Sequence, residues 1–280
     1  MNIYVLPEIK ILKLMVKNEC PLINPSVTEN YMYLREVKID DNLWKNKIKI
    51  INKKTNECSN INYNMSKSKY TDGLEDLRIT EFNNKLWFSA VYKNEKELFS
   101  TIIGYFNDEI TKIDKIVIDF ATINNNNHVK NIVPLVYDNK IYYIDFISKT
   151  MYNIDENTSN LTTYTLESDL NIPKIKGSTE IIHLNDTIYG GIVHNQIIVH
   201  TGDSMKRYYY FYWIEIDMFN KKIVKISNPF IFKNFGTVFI SGIYLSNDVL
   251  DLYYSENDND IYCGKCDINF IRKCKSFDNA

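Results

Sequence analysis

Residues 75–78, Glu-Asp-Leu-Arg, crowd three charges into four positions between Gly73 and the apolar run that opens at Ile79. Read as the mouth of a strand, the alternation of side chains puts Asp76 and Arg78 on one side and Glu75 and Leu77 on the other. A carboxylate beside a guanidinium there is either an exposed ion pair closing the strand end or the acid–base element of a site. Other groups invite the same question. Arg35 sits inside the apolar stretch Tyr33-Leu-Arg-Glu-Val37, where an unpaired guanidinium would be costly unless Glu36 or Asp40 meets it at the surface. Lys130 precedes a hairpin, Glu180 ends the run Gly177-Ser-Thr-Glu180, and His194 closes the strand that follows. Arg207 and Tyr208 open an aromatic run that ends at Trp213. Lys130 and Glu180 also read as solvated residues, and His194 as a hydrogen-bonded loop histidine. The tyrosines read as packing or as faces for stacking a sugar.

These groups are scattered in sequence, so only a repeating architecture brings them together. Strand, two-residue polar turn, strand recurs at Asn83-Asn84, Asp138-Asn139, Asn185-Asp186 and Asn247-Asp248, with residues 28–39 as a fifth copy. Asn and Asp tolerate positive φ in such turns. The copies lie roughly 50 to 60 residues apart, and each is followed by one or two further strands. Five such units predict an all-β fold, a five-bladed β-propeller of four-stranded blades, formed by one domain over residues 1–280. A β-sandwich competes, but it has no need of a hairpin returning at near-regular distance. In a propeller the inner strands point into one central funnel. Every candidate above stands just before or after a repeated hairpin. Residues 9–17 predict a first strand, and 53–69 an irregular surface loop.

Composition narrows the function classes. Apolar residues make up 45% of the 280, and alanine occurs only at positions 90, 121 and 280, which favours strands over helices. The net charge of −2 and the absence of a basic block argue against nucleic acid as partner. No apolar run reaches the length of a membrane span, and the first residues do not read as a signal peptide. The expected location is the cytoplasm. Five cysteines, an odd number, then predict reduced thiols. Cys263-Gly-Lys-Cys266 lacks the second ligand pair of a structural zinc site, so no metal is expected.

Glu75-Asp76-Leu77-Arg78-Ile79-Thr80 resembles the Glu-Asp-Pro-Arg-Ile-Thr signature of five-bladed propellers that cleave or phosphorolyse β-mannosides. Further elements fall in the same order. Asn24-Pro25-Ser26 with Tyr33-Leu34-Arg35 is similar to that family's Asn-Pro-x and (Tyr/Leu)-Arg elements, and Gly177-Ser178-Thr179 with Ile188–His194 to its Gly-Gly-Thr-Pro and Gly-x-x-His elements. Arg207-Tyr208 leads to Ser227-Asn-Pro-Phe230, similar to Ser-x-Pro-Phe. The resemblance implies Asp76 as a general acid that relays its proton through a sugar hydroxyl. It implies Arg35, Arg78, Lys130 and His194 around phosphate or water, with Arg207 and Tyr208 on the substrate. For the base of an inverting reaction, Glu180 and Glu75 are the candidates. Leu77, Ser178 and Glu180 depart from the signature, and Tyr142–Phe146 holds no arginine for phosphate. The expected ligand is a glycan or small sugar, with no cofactor beyond inorganic phosphate as a candidate co-substrate. Hydrolysis, phosphorolysis and sugar transfer stay open, as does a propeller that only binds glycan or assists glycan assembly.

Overall fold

The computed structural model describes residues 4–5, 10–13, 20–41, 43–63, 68–123, 130–201, 204–231 and 237–273. It is an all-β propeller, with only two short helices, Phe120–Ile123 and Ile268–Lys273, among the described residues. Four sheets follow the plain path of four successive antiparallel strands. The first runs through Leu22–Val27, Tyr31–Asp40, Leu43–Asn52 and Cys58–Ile61, with the two-residue strand Thr71–Asp72 added. The second comprises Glu75–Phe82, Lys85–Lys93, Phe99–Phe106 and Ile113–Asp119. Val133–Tyr137 to Leu161–Thr165 make the third. In the fourth, Val238–Ser246, Val249–Glu256 and Asp260–Asp267 are completed by Lys10–Lys13 from the start of the chain.

The remaining sheet departs from that pattern. It has eight strands and is dominated by a hairpin whose arms, Ile188–Thr201 and Ser204–Asp217, are 14 residues each. The expectation of five equal four-stranded blades is therefore corrected to four regular ones and an expanded sheet. Two other expectations change as well. Within 53–69, the stretch Cys58–Ile61 is a strand rather than loop. His194 lies in mid-strand, because pairing continues seven residues beyond it to Thr201.

Three of the polar turns adopt the left-handed conformation at both central residues, with φ of 49° and 57° at Asn83-Asn84, 49° and 50° at Asp138-Asn139, and 49° and 63° at Asn247-Asp248. At Asn185-Asp186 only Asp186 does so. Such turns match the twist of the flanking strands. Between sheets, short hydrogen bonds close a circuit around the axis. The Ile79 amide donates to Ser26 Oγ (3.0 Å), Ser89 Oγ to the Ile132 carbonyl (2.8 Å), and the Ile181 amide to the Pro134 carbonyl (3.1 Å). Ser178 Oγ donates to the Ile240 carbonyl (2.5 Å) and Ser241 Oγ to the Pro25 carbonyl (2.6 Å). Apolar clusters fill the wedges between sheets, with Trp87 and Trp213 fully buried. The two thiols of the Cys-x-x-Cys pair are free and face different clusters, Cys263 beside Val27 and Tyr253, Cys266 against the cluster around Trp213.

Candidate functional site

Two β-bulges shape the site. Pairing between the first two strands of the first sheet shifts between Ile23 and Ser26, where Asn24 has φ of 50°. In the second sheet it shifts between Glu75 and Arg78, where Asp76 has φ of 49°. A bulge places two residues opposite one and re-aims their side chains. The simple alternation expected at 75–78 is thereby broken. Glu75 and Asp76 both line one cavity of about 530 Å³, while Arg78 turns away from it into the interior. Gly73 makes the approach possible. At φ of 93° it passes so close to the first sheet that a Cβ would meet the Asn46 carbonyl at 2.5 Å and the Tyr63 hydroxyl as well.

At the centre of the cavity wall lies a knot of four residues. Asn24 Nδ2 donates to Asp76 Oδ1 at 2.6 Å. Arg35 is buried and lies between the two carboxylates, Nη1 at 3.5 Å from Asp76 Oδ1 and Nη2 at 3.6 Å from Glu75 Oε1. Its Nε donates to Asn46 Oδ1 at 2.8 Å, which fixes the guanidinium plane. The surface pairing of Arg35 with Glu36 or Asp40 is not what forms: Glu36 meets Lys49 at 2.9 Å and Asp40 meets Lys45 at 2.7 Å. Burial pushes both site carboxyls up, but the outcomes differ. At Asp76 the guanidiniums of Arg35 and Arg78, Lys130 and the Asn24 hydrogen bond prevail and hold the carboxyl below the usual range. At Glu75 burial prevails over Arg35, and the charge of Asp76 adds to the rise. Two adjacent carboxyls with opposite displacements suit different proton-transfer tasks.

The cavity is also lined by cations. Lys130, Lys176 and Arg207 all line the cavity, and among the described residues none of the three forms an ion pair. Burial lowers the affinity of Lys130 and Lys176 for their protons; at Lys130 the carboxylates of Asp76 and Glu75 partly offset it, whereas at Lys176 the charges of Arg207 and Lys174 lower it further. Lys130 Nζ lies 2.9 Å from the centroid of the Phe99 ring. An anion entering here would meet three cationic donors that hold no ion pair among the described residues, although Lys130 also feels the charge of Asp76 and Glu75. His194 contributes no charge. It is buried against Tyr209 and Phe239, with ring centroids 5.6 and 5.1 Å away, and burial followed by Lys176 and Arg78 pushes its pKa down to about 3. The imidazole is neutral, and its buried Nδ1 has no partner.

Six of the residues singled out from sequence thus converge: Arg35, Glu75, Asp76, Lys130, His194 and Arg207. Three do not line the cavity. Arg78 is 2% exposed, donates from Nε to the Ser178 carbonyl at 2.5 Å, and lies with Cζ 5.8 Å from the Phe239 ring centroid, behind the floor. Glu180 is buried too, accepting from the Ile243 amide at 3.1 Å through Oε1 while Oε2 has no partner, and burial pushes its pKa up to about 8. Tyr208 lies off the lining because residues two apart share a strand face, so Arg207 brings Tyr209 with it instead. That same rule could have found Tyr209 from the sequence. Asp258, in a turn with φ of 54° at Asn257 and 51° at Asp258, and Lys176, beside Gly177, carried weaker signals. Trp44, Tyr70, Phe99 and Phe239 carried none. Their place depends on how the sheets stand around the axis.

No family model and no curated protein sequence matches the chain. Solved structures do. The chain is similar to a mannose phosphorylase from Leishmania mexicana in complex with phosphate ion, at 15% identity and a TM-score of 0.60, covering 99% of this chain and 92% of that one. A β-1,2-mannobiose phosphorylase from Listeria innocua, solved with β-1,2-mannobiose, aligns at 11% identity and a TM-score of 0.62, over 94% and 98% of the two chains. A GDP-Man-dependent mannosyltransferase from Leishmania mexicana aligns at 14% and 0.61, over 96% and 93%. At these identities the likeness establishes a shared fold.

Proposed function

We propose that this chain acts on a β-mannosidic bond at the mouth of the funnel, moving the mannosyl group between a sugar hydroxyl and phosphate or water. One observation carries the reading: a carboxylate knot of Glu75 and Asp76 around Arg35 shares a single cavity with three cations, Lys130, Lys176 and Arg207, that form no ion pair among the described residues. The sugar-processing names of proteins with the same fold support it. In this scheme Lys130, Lys176 and Arg207 hold the anion, and their fixed charges stabilise negative charge as the bond breaks. Asp76, held ionised, accepts the proton of the attacking water or hydrogen phosphate as its oxygen bonds to the anomeric carbon and the bond from that carbon to the glycosidic oxygen breaks. Glu75, whose carboxyl keeps its proton to higher pH, is the better donor toward the glycosidic oxygen. This reassigns the acid that the sequence placed on Asp76. The reading also takes residues 1–280 as one domain, the eight-stranded sheet as an enlarged fifth blade, the cytoplasm as its location, and phosphate as the one co-substrate.

A second reading has its own support. If neither carboxyl donates a proton, the ionised Asp76 is only a hydrogen-bond acceptor for sugar hydroxyls, and the protein binds glycan without cutting it. The test is turnover of β-1,2-mannobiose with and without phosphate, across pH, for wild type, Glu75→Gln and Asp76→Asn. The enzyme reading expects both variants to lose activity by roughly two to four orders of magnitude, with the alkaline limb of the wild-type profile absent in any residual activity of Glu75→Gln. Sugar binding without turnover of any glycoside or mannose 1-phosphate donor by wild type would establish the binding-only reading instead.

A further inference from the structure

The long hairpin of the expanded sheet runs past every strand that accompanies it. Its arms stay in register from Ile188–Asp217 to Thr201–Ser204. Lys176–Gly177 follow one arm only as far as His194, and Phe230 meets the other at Phe211. Beyond those points, among the described residues, the two arms stand alone as a ribbon. An isolated two-stranded ribbon is marginally stable in water at best. This one also leaves three consecutive β-branched residues, Ile197, Ile198 and Val199, 49%, 44% and 38% exposed.

The two edges of the ribbon differ. The returning arm carries Lys206 and Arg207, charges of the kind that keep a strand edge from pairing. The outgoing arm, residues 195–201, holds no Lys, Arg, Asp, Glu or Pro. Its backbone faces the free edge at the even positions. The Ile192 carbonyl accepts from the Ser178 amide across that edge at 3.2 Å, and the pattern recurs every second residue, at 196, 198 and 200. There the Gln196 amide donates to its neighbour's side chain, Asn195 Oδ1, at 2.8 Å.

We propose that this edge pairs with the same edge of a second copy of the chain, so that two ribbons form one four-stranded sheet about a two-fold axis. The sequence is complementary to itself in one antiparallel register. With Ile198 on the axis, Ile198 meets Ile198, Ile197 meets Val199, and Gln196 meets His200. The next registers the backbone allows, slipped by two residues, set Ile198 against Gln196 or His200. The axis also falls on a residue whose amide and carbonyl both face the edge, so the central pair exchanges two hydrogen bonds. Lys176 closes the edge at His194, which limits the pairing to residues 195–201. Gln196 lines the cavity, so His200 of the second copy comes to stand at the cavity's border. A lipid surface fits the ribbon less well, because its apolar residues lie in mid-arm and the polar sequence Thr-Gly-Asp-Ser, 201–204, joins the arms.

The two-fold axis makes the test specific. Light scattering after size exclusion and sedimentation velocity, over roughly 1 to 100 μM chain, read the assembled mass. Wild type should reach twice the chain mass at the upper end. Ile198→Lys sets two ammonium groups against each other on the axis, and Ile198→Glu two carboxylates. Each variant alone should weaken dimerisation about ten-fold or more, and an equimolar mixture of the two should recover the wild-type association. Mixing cannot restore a ribbon that has lost its fold, so recovery reports the pairing itself. Wild type at single-chain mass throughout would overturn the proposal, as would a dimer that both variants leave intact, or variants that stay monomeric when mixed. Monomeric wild type that binds phosphatidylcholine–phosphatidylserine vesicles, with binding lost in Ile198→Lys, would overturn it in favour of a lipid surface. None of these outcomes depends on the glycan reading.

Discussion

Replacing Glu180 by Gln should change how stability depends on pH more than it changes stability at any acidic pH. Glu180 is 6% exposed, has one carboxylate oxygen without a partner, and holds its proton up to about pH 8 against an ordinary 4.5. Burial is the dominant cause, and the Ile243 amide and the Arg78 guanidinium only partly offset it. Because the folded state keeps the proton more tightly than the unfolded one, its contribution is fully present below pH 4.5 and is lost as the pH rises toward 8. At about 1.4 kcal/mol per pH unit, linkage caps that loss near 5 kcal/mol, most of which falls between pH 5 and pH 8. The variant has no proton to lose. Urea unfolding of both proteins at pH 5, 6.5 and 8 should therefore show wild type losing roughly 3 to 4 kcal/mol relative to Glu180→Gln over that interval. Parallel pH dependences would refute the reasoning, and would mean that Arg78 stabilises the ionised carboxylate much more than its geometry indicates.

The other predictions probe different parts of the frame. His194, with a pKa near 3, should destabilise the fold as it is forced to ionise on acidification. Between pH 7 and 5 wild type should lose about 2 kcal/mol more than His194→Phe, measured by urea unfolding. Gly73→Ala places a Cβ against the Asn46 carbonyl at a positive φ. A loss of roughly 1–3 kcal/mol in the same assay is expected, with weakened ligand binding because residues 68–72 and the Glu75–Asp76 bulge flank it.

Much of the fold was legible because its information is local. The Asn/Asp turns need only two residues that tolerate left-handed backbone, and the strands between them announce themselves by β-branched and aromatic composition. Arg35, Asp76, Arg78, Lys130 and His194 were expected to converge from their equivalent places near the repeated hairpins, and all but Arg78 line the cavity. What escaped was set by irregularity or by long-range contact. The bulge at Asp76 reverses the alternation that a regular strand would impose, so Arg78 was placed on the wrong side. Glu180 occupies a funnel-facing element, but the depth at which it sits depends on how Ser178 and Ile243 bring neighbouring sheets together. The pairing of Lys10–Lys13 with Asp260–Asp267 joins segments some 250 residues apart, and no local pattern encodes it.

The circuit of hydrogen bonds around the axis bears on how a ligand gets in and out. Ser26, Ser89, Ser178 and Ser241 each clamp one sheet to the next, and the Ile181–Pro134 backbone bond completes the circuit. The two walls of the cavity belong to different sheets, so parting them would break this circuit and expose the apolar wedges behind it. Among the described residues this circuit ties each sheet to the next. The expectation for the ligand proposed above is exchange through the open mouth past Trp44 and Tyr70, with residence time set by contacts in the cavity rather than by the opening of two lobes.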